Sequence, residues 1–350
     1  MDSHTRNRPE RHPIRSWGDL QPLVAPWRNL LEGTDHSFCS TPSWFRAWWN
    51  ALGQPDTEAF VFRGRAEVGA LALLSKVPPP VRGGFALPKI WVNSGGVYGT
   101  GDHVDWATAD PQMRAVVRDW LDELSRRRPI VLYNMTQRSA LTLLPDACHL
   151  LATHHCPQID LRGFDASQSW SNKFRKRLRY YRRKADAAGI TFEVAQRGLV
   201  DRPLLTELMA LHDARWSASR QASAFSALHR QIMDELSDAD DGDGGLEAVL
   251  ARRQDGRLVG ALLGLRSNTR FEYYQSGWDP EYSDFNLGTL LVAESITHSL
   301  ASGAYTFDFL RGPEHYKYRF GAQDSIDESW EVGRHVRTLP IRLRSRWVRT

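Results

Sequence analysis

One order of elements occurs twice in this chain, and that repetition narrows the fold more than any single motif. In the first half "EAFVFRG" and "AEVGALALLSKV" are alternating runs on either side of Gly64, which predicts a hairpin. "KIWVN" follows as a third extended stretch. Met113, Val116, Val117, Trp120, Leu121 and Leu124 then recur at helical spacing over Pro111–Arg127, and "IVLYNM" reads as a buried strand. The second half repeats the plan. "LEAVLARR" and "RLVGALLGLR" flank Asp255-Gly256, a strong hairpin signal, and "RFEYYQSG" completes a meander. A helix is predicted over Leu287–Ser302, stopped by Gly303, and "YTFDFL" alternates as a strand. Helical segments precede each set: "PSWFRAWWNALG" in the first, and Pro203–Ser217 and Ala224–Leu236 in the second. The expected class is α/β (α+β), with two units that each hold a mixed, mostly antiparallel sheet flanked by helices.

Between the two sets lies "KFRKRLRYYRRK", in which eight of twelve residues are basic. Phe174, Leu178, Tyr181, Ala185 and Ala188 are spaced 4, 3, 4, 3, one apolar seam of an α-helix that Gly189 ends. The seam predicts docking by one stripe, with arginines such as Arg175 and Arg179 turned outward. Without this run the chain holds 37 basic and 41 acidic residues, so its basicity is local and marks a site rather than a coat. A looser basic stretch, six arginines from Arg334 to Arg349, closes the sequence.

The 350 residues suffice for two domains. The reading is a disordered tail over 1–13, a first unit over 14–157, a junction with the basic helix over 158–189, a second unit over 190–337 and a basic tail over 338–350. No run of 18 apolar residues occurs, so no membrane span is expected. Three cysteines without a CxxC pair (Cys39, Cys148, Cys156) fit a reducing, cytoplasmic setting. Cys148, His149, His154, His155 and Cys156 match no standard zinc spacing, and no metal is expected.

"STPSWFRAWWNALG", "CPQIDL" with "NKFRKRLRYYRRKADAAGITFEV", "YYQSGWDPEYSDFNLGTLLVAESI" and "FDFLRGPEHYKYRFG" together resemble a tandem GNAT (N-acetyltransferase) fold over about residues 38 to 335. The pattern is similar to the acetyltransferase-like family associated with cellulose and exopolysaccharide biosynthesis, and more distantly to the Fem peptidyltransferases, which move amino acids from tRNA. The resemblance implies an acyl-CoA cosubstrate and a small-molecule amine acceptor. Its alternatives are an aminoacyl-tRNA donor, or a non-catalytic tandem unit that binds a polyanion. In such folds a (Q/R)xxGx(G/A) loop opens the central helix and holds pyrophosphate on backbone N–H groups. "DFNLGTLL" is the matching segment here, with Asn286, Leu287, Gly288 and Thr289, although Asn286 stands where a glycine is expected. "GGVYGTG", with Gly96, Gly99 and Gly101, matches the spacing but leads into no predicted helix.

"RGPEHYKYRFG" follows a strand, the place where α/β sheets hold ligands. Acyl transfer needs a base for the amine, a stabiliser for the oxyanion and a proton for the leaving group. Glu314 or His315 can serve the first need, and Tyr316 or Lys317 the last. Lys317 also matches the lysine that the Fem resemblance puts at the reaction centre, in a K-x-x-F-G context. Asp308 is expected to orient Arg311 or Lys317, and Tyr274 to line the acyl site.

Overall fold

A computed structural model gives the structure of residues 8–32, 34–64, 68–78, 89–93, 110–218, 227–237 and 242–333. The glycine loop "GGVYGTG" and the basic C-terminal stretch lie outside the described residues. The described chain divides into two compact units. One comprises the chain up to His155 together with the stretch from Ile326 onward, and the other is Cys156–Ser325. The basic helix thus belongs wholly to the second unit, and the first unit takes its last strand from beyond the second.

The first unit opens with β1 (Glu10–Ile14), α1 (Trp17–Leu31) and α2 (Pro42–Ala51). β1 pairs antiparallel with β2 (Thr57–Arg63), so the stretch expected to be a tail contributes a strand from Glu10 onward. Proline at Pro22 and Pro26 hid α1 in the sequence. The helix persists because Leu20, Val24, Trp27 and Leu31 are buried along one face, and such packing outweighs local propensity. α2 starts on Thr41, whose hydroxyl accepts the Trp44 N–H at 3.3 Å, and buries Trp44, Phe45, Trp48 and Trp49. β3 (Val68–Val77), β4 (Ile90–Asn93), α3 (Pro111–Ser125), β5 (Ile130–Thr136) and α4 (Gln137–Leu143) follow.

β6 (Cys148–Asp160) leads into the second unit. There α5 (Ala166–Ser169), α6 (Asn172–Ala187), β7 (Ile190–Ala195), α7 (Arg202–Ala218), α8 (Ala227–Ser237), β8 (Gly245–Arg253), β9 (Leu258–Arg266) and β10 (Arg270–Trp278) occur in order. A 3-10 turn over Pro280–Phe285 joins β10 to α9 (Leu287–Ala301), followed by β11 (Thr306–Asp308), α10 (His315–Tyr318) and β12 (Gln323–Val332).

Both units pair their strands alike. In the first, β1 to β4 form an antiparallel meander, β4 runs parallel to β5, and β12 closes antiparallel on β5. In the second, β7 to β10 form the meander, β10 runs parallel to β11, and the Gln158–Asp160 end of β6 closes antiparallel on β11. Each has its own core. Phe60, Leu74, Val117, Leu121 and Leu132 pack in the first, and Leu262, Phe271, Leu291, Ile296 and Phe307 in the second. The predicted class, mixed α/β with largely antiparallel strands flanked by helices, is the class observed. Among the described residues no helix is long and apolar enough to cross a membrane.

Candidate active site

The parallel ladder of β10 and β11 has only three rungs, Arg270–Thr306, Phe271–Phe307 and Glu272–Asp308. β10 then runs on to Trp278, still paired to β9 on its other side. A register shift at Tyr274 puts an extra residue into β10, a bulge that bends the strand where it parts from β11. The chain that leaves β10 enters α9 through Asn286, whose left-handed backbone (φ 52°) turns the 3-10 segment into the helix. Asn286 Oδ1 accepts the Thr289 hydroxyl at 2.9 Å, and Asn286 O accepts the N–H groups of Thr289 and Leu290. Among the described residues no acceptor is recorded for the N–H groups of Leu287 and Gly288. They remain as donors at the positive end of the helix dipole. A Cβ at Gly288 would lie 2.5 Å from the Trp278 ring. That close approach by itself requires glycine, so Gly288 is no diagnostic of a phosphate cradle.

β11 ends in a clamp. Leu310 has a left-handed backbone (φ 56°), rare for a branched aliphatic residue and costing about 1–2 kcal/mol. Two buried charged residues hold it. Asp308 Oδ1 accepts the Leu310 N–H at 2.7 Å, and Lys317 Nζ donates to the carbonyls of Leu310, Arg311 and Gly312 at 3.3, 3.0 and 2.9 Å. Lys317 also pairs with Glu314 at 2.8 Å. Four oxygens thus surround an ammonium that is 2% exposed. The side chain is bound into the turn and is not held toward open space. Asp308, fully buried, pairs with Arg270 at 2.8 Å, a partner the sequence reading did not name.

The side chains that meet where β10 and β11 part are Tyr316, Tyr273, Ser276 and Arg215. The Tyr316 ring packs against Phe309, with centroids 6.3 Å apart, and Phe309 packs against Tyr273. The Tyr273 hydroxyl lies 2.5 Å from Ser276 Oγ, which accepts from Arg215 Nη1 at 3.2 Å. The Arg215 guanidinium sits 3.9 Å over the Trp278 ring. Burial, then the neighbouring Tyr273 hydroxyl and Glu314, push the Tyr316 phenol well above its ordinary value. More than a third of the residue is exposed, and its hydroxyl faces the Tyr273 hydroxyl. Tyr316 therefore keeps its proton at neutral pH. His212 is fully buried on α7, with Nε2 3.2 Å from Gln275 Oε1, and burial lowers its pKa.

Of the residues singled out in the sequence, Tyr316, Lys317, Glu314 and Asp308 come together at the end of β11, and Asn286 to Thr289 at the start of α9. His315 is exposed, and Tyr274 is buried in the bulge. Arg179 is exposed on α6, whereas Arg175 is half-buried and donates to Asn172. Tyr273, Ser276, Arg215 and His212 were not anticipated. A bulge leaves no mark in an alternating sequence, so Tyr273 could not be told from Tyr274. α6 docks as its seam predicts, burying Leu178 and Ala185. Lys184 Nζ donates to Asp284 O at 3.2 Å and Arg182 pairs with Glu294, so α6 flanks the turn that opens α9. Among the described residues no group of three His, Cys, Asp or Glu is placed to hold a metal ion.

A family profile described as acetyltransferase (GNAT) domain matches residues 172–318, from the start of α6 to the end of α10. The second unit carries a GNAT fold. FemX superposes with a TM-score of 0.62 at 12% identity, over 92% of this chain and 96% of that one. The C-terminal domain of a protein described as a lysylphosphatidylglycerol synthetase, from Agrobacterium fabrum, gives 0.57 at 12% identity over 94% and 96%. L-PGS from Bacillus licheniformis gives 0.54 at 13% identity over 88% and 96%. At these identities the likeness is one of fold. No curated protein sequence matches. The link to the cellulose-associated acetyltransferases implied by the sequence receives no support from these matches.

Proposed function

We propose that the second unit transfers an acyl group from acyl-CoA to an amine. The observation that carries this is the edge of β10 beyond Glu272, which β11 does not pair and which leads through one 3-10 turn to the N-terminus of α9. Pantetheine carries two amides and ends in a pyrophosphate. An extended ligand with amides adds to a strand edge by main-chain hydrogen bonds, and a pyrophosphate suits free N–H groups at a helix start. Edge and helix end stand here in the order in which the ligand presents those groups. In the reaction the amine nitrogen bonds to the thioester carbon and the C–S bond breaks. Glu314, the exposed carboxylate that pairs with Lys317 in the clamp, takes the amine proton. Tyr316, held as the phenol, protonates the leaving thiolate.

Calorimetry with acetyl-CoA, longer acyl-CoAs and charged tRNA tests the donor. Acyl-CoA is expected to bind, and Thr289→Asp is expected to weaken it by ~10-fold or more. A carboxylate is tolerated at a helix start but repels pyrophosphate. Binding of charged tRNA without binding of any acyl-CoA would overturn the reading.

One observation favours an aminoacyl-tRNA donor instead. Lys173, Lys176, Arg179 and Arg183 line the exposed side of α6 with Tyr180, which is 55% exposed. Among the described residues none of these four cations has a carboxylate within ion-pair distance. Replacing the four by Gln should flatten the salt dependence of tRNA binding by ~0.7–0.9 per lost phosphate contact if tRNA is the donor. It should leave acyl-CoA binding nearly unchanged if it is not.

A further inference from the structure

The first unit contains a cavity of about 260 Å³ that the transferase reading does not use. Phe60, Trp120 and Leu124 give it an apolar lining, with the Phe60 and Trp120 rings 4.6 Å apart. Four arginines surround that lining: Arg8 and Arg11 from the start of the chain, and Arg127 and Arg128 from the end of α3. Among the described residues two carboxylates answer them. Glu58 accepts two bonds from Arg11, at 2.9 and 2.5 Å, and one from Arg128 at 2.7 Å. Glu123 lies 3.4 Å from Arg8 and 3.6 Å from Arg127. Among the described residues the cavity therefore carries two positive charges in excess.

Its geometry is built in advance. Glu58 is nearly buried, and the Arg128 side chain is 22% exposed. Arg128 also lies 4.6 Å over the Trp91 ring, a second contact that restrains it. It reaches Glu58 through Nη1 alone, leaving other guanidinium N–H groups for a ligand. An arginine held by a ring and a carboxylate, with N–H groups to spare, is prepared to bind a phosphate through two parallel bonds. Cavities that take drug-sized ligands run to about 300–1,000 Å³, so this one suits a smaller molecule.

We infer that this cavity binds a small phosphate monoester carrying one flat apolar ring, with the ring on Trp120 and the phosphate among Arg8, Arg127 and Arg128. The charge excess matches the two charges of a monoester, and the aromatic lining distinguishes it from a bare anion. The inference does not depend on what the second unit transfers.

Calorimetry on the full chain with phenyl phosphate, inorganic phosphate and phenol tests it. Phenyl phosphate is expected to bind with a Kd of ~1 mM or below, inorganic phosphate at least ~10-fold more weakly, and phenol not measurably. Arg127→Gln and Arg128→Gln should each weaken phenyl phosphate by ~10-fold. Arg127 is 76% exposed, so its variant keeps the test valid if removal of Arg128 disturbs folding. Three results would each overturn the proposal: no binding of phenyl phosphate at ~10 mM, equal affinity for inorganic phosphate, or unchanged affinity in the Arg127 variant.

Discussion

In the first unit a side chain carries the parallel pair β4–β5 past its last rung. Asn93 Nδ2 donates to Tyr133 O at 2.8 Å, and Asn93 Oδ1 accepts the Tyr133 N–H at 2.7 Å. When the first rungs of the two parallel pairs are aligned, Glu272 of the second unit stands where Asn93 stands, and Phe309 where Tyr133 stands. A carboxylate cannot donate as an amide does, and the Phe309 N–H goes instead to Pro157 O at 2.9 Å. One unit thus zips its strands beyond the ladder, and in the other β11 does not pair with β10 beyond Glu272. The alignment continues: Asn134 and Leu310 are both left-handed, at φ 52° and 56°, and a short helix follows each. Tyr316 and Lys317 then fall opposite Ala140 and Leu141. The same backbone plan thus ends in an amide zipper in one unit and in the Asp308–Lys317 clamp in the other.

The largest effect is expected at Lys317. Lys317→Met removes the donor from three turn carbonyls and releases a Leu310 backbone that is costly to hold. A loss of about 2–4 kcal/mol of stability is expected in chemical denaturation, with transfer activity abolished. Its counterpart Leu141 is 80% exposed, so Leu141→Ala should stay within about 0.5 kcal/mol. Equal losses in the two variants would break the comparison. Tyr316→Phe comes next. It should lower the transfer rate by about 10²-fold while the protein melts nearly as before, because only the hydroxyl is removed. The raised Tyr316 pKa has a direction that can be checked. The phenol is the active form and stays protonated above its usual range, so no alkaline fall in rate from this group is expected at or below ~pH 10.

Much of this comparison was legible in the sequence, and the illegible part has physical causes. Asp255-Gly256, the period of the apolar residues in α3 and α9 and the seam of α6 are local signals, and each element formed where its signal lay. β6 and β12 carry His, Cys, Asp and Glu in place of clean alternation and take their places through distant partners, so no local rule finds them. At the site, residue types were readable and contacts were not. Lys317 stood out for its context, but its four oxygen partners come from a turn whose course depends on a left-handed leucine. No sequence rule predicts that conformation for leucine. Tyr273 and Arg215 needed the bulge and the docking of α7, both of them tertiary facts.

Asn93 gives a smaller effect with the opposite signature. Asn93→Ala leaves the N–H and C=O of Tyr133 without their partner in a buried setting, at a cost of about 2 kcal/mol. Transfer activity should be unchanged, because the zipper belongs to the first unit. A loss of activity at constant stability would mean that this unit takes part in the chemistry after all.

The smallest effect distinguishes the units by pH. His212 is fully buried on α7, where it faces Gln275 on β10, Asp213 at 3.7 Å and the cation of Arg215. Arg230 also pairs with Asp213, at 2.7 Å, and Asp213 partly offsets the effect of burial on the imidazole. Desolvation, the largest cause, lowers the His212 pKa below its ordinary value of 6.5. The unfolded chain therefore binds this proton more readily than the folded one. The stabilising contribution of neutral His212 is fully present above about pH 6.5, and it is lost as pH falls from there toward the folded pKa. Each pH unit in that window changes stability by up to about 1.4 kcal/mol. The loss should loosen α7 from β10, so hydrogen exchange at low pH should rise in α7 and β10 while β2 and β3 stay protected. His212→Gln, which cannot take up the proton, should flatten the dependence. Exchange that rises equally in β2 and β3, or a slope the variant leaves unchanged, would show that acid acts elsewhere in the chain.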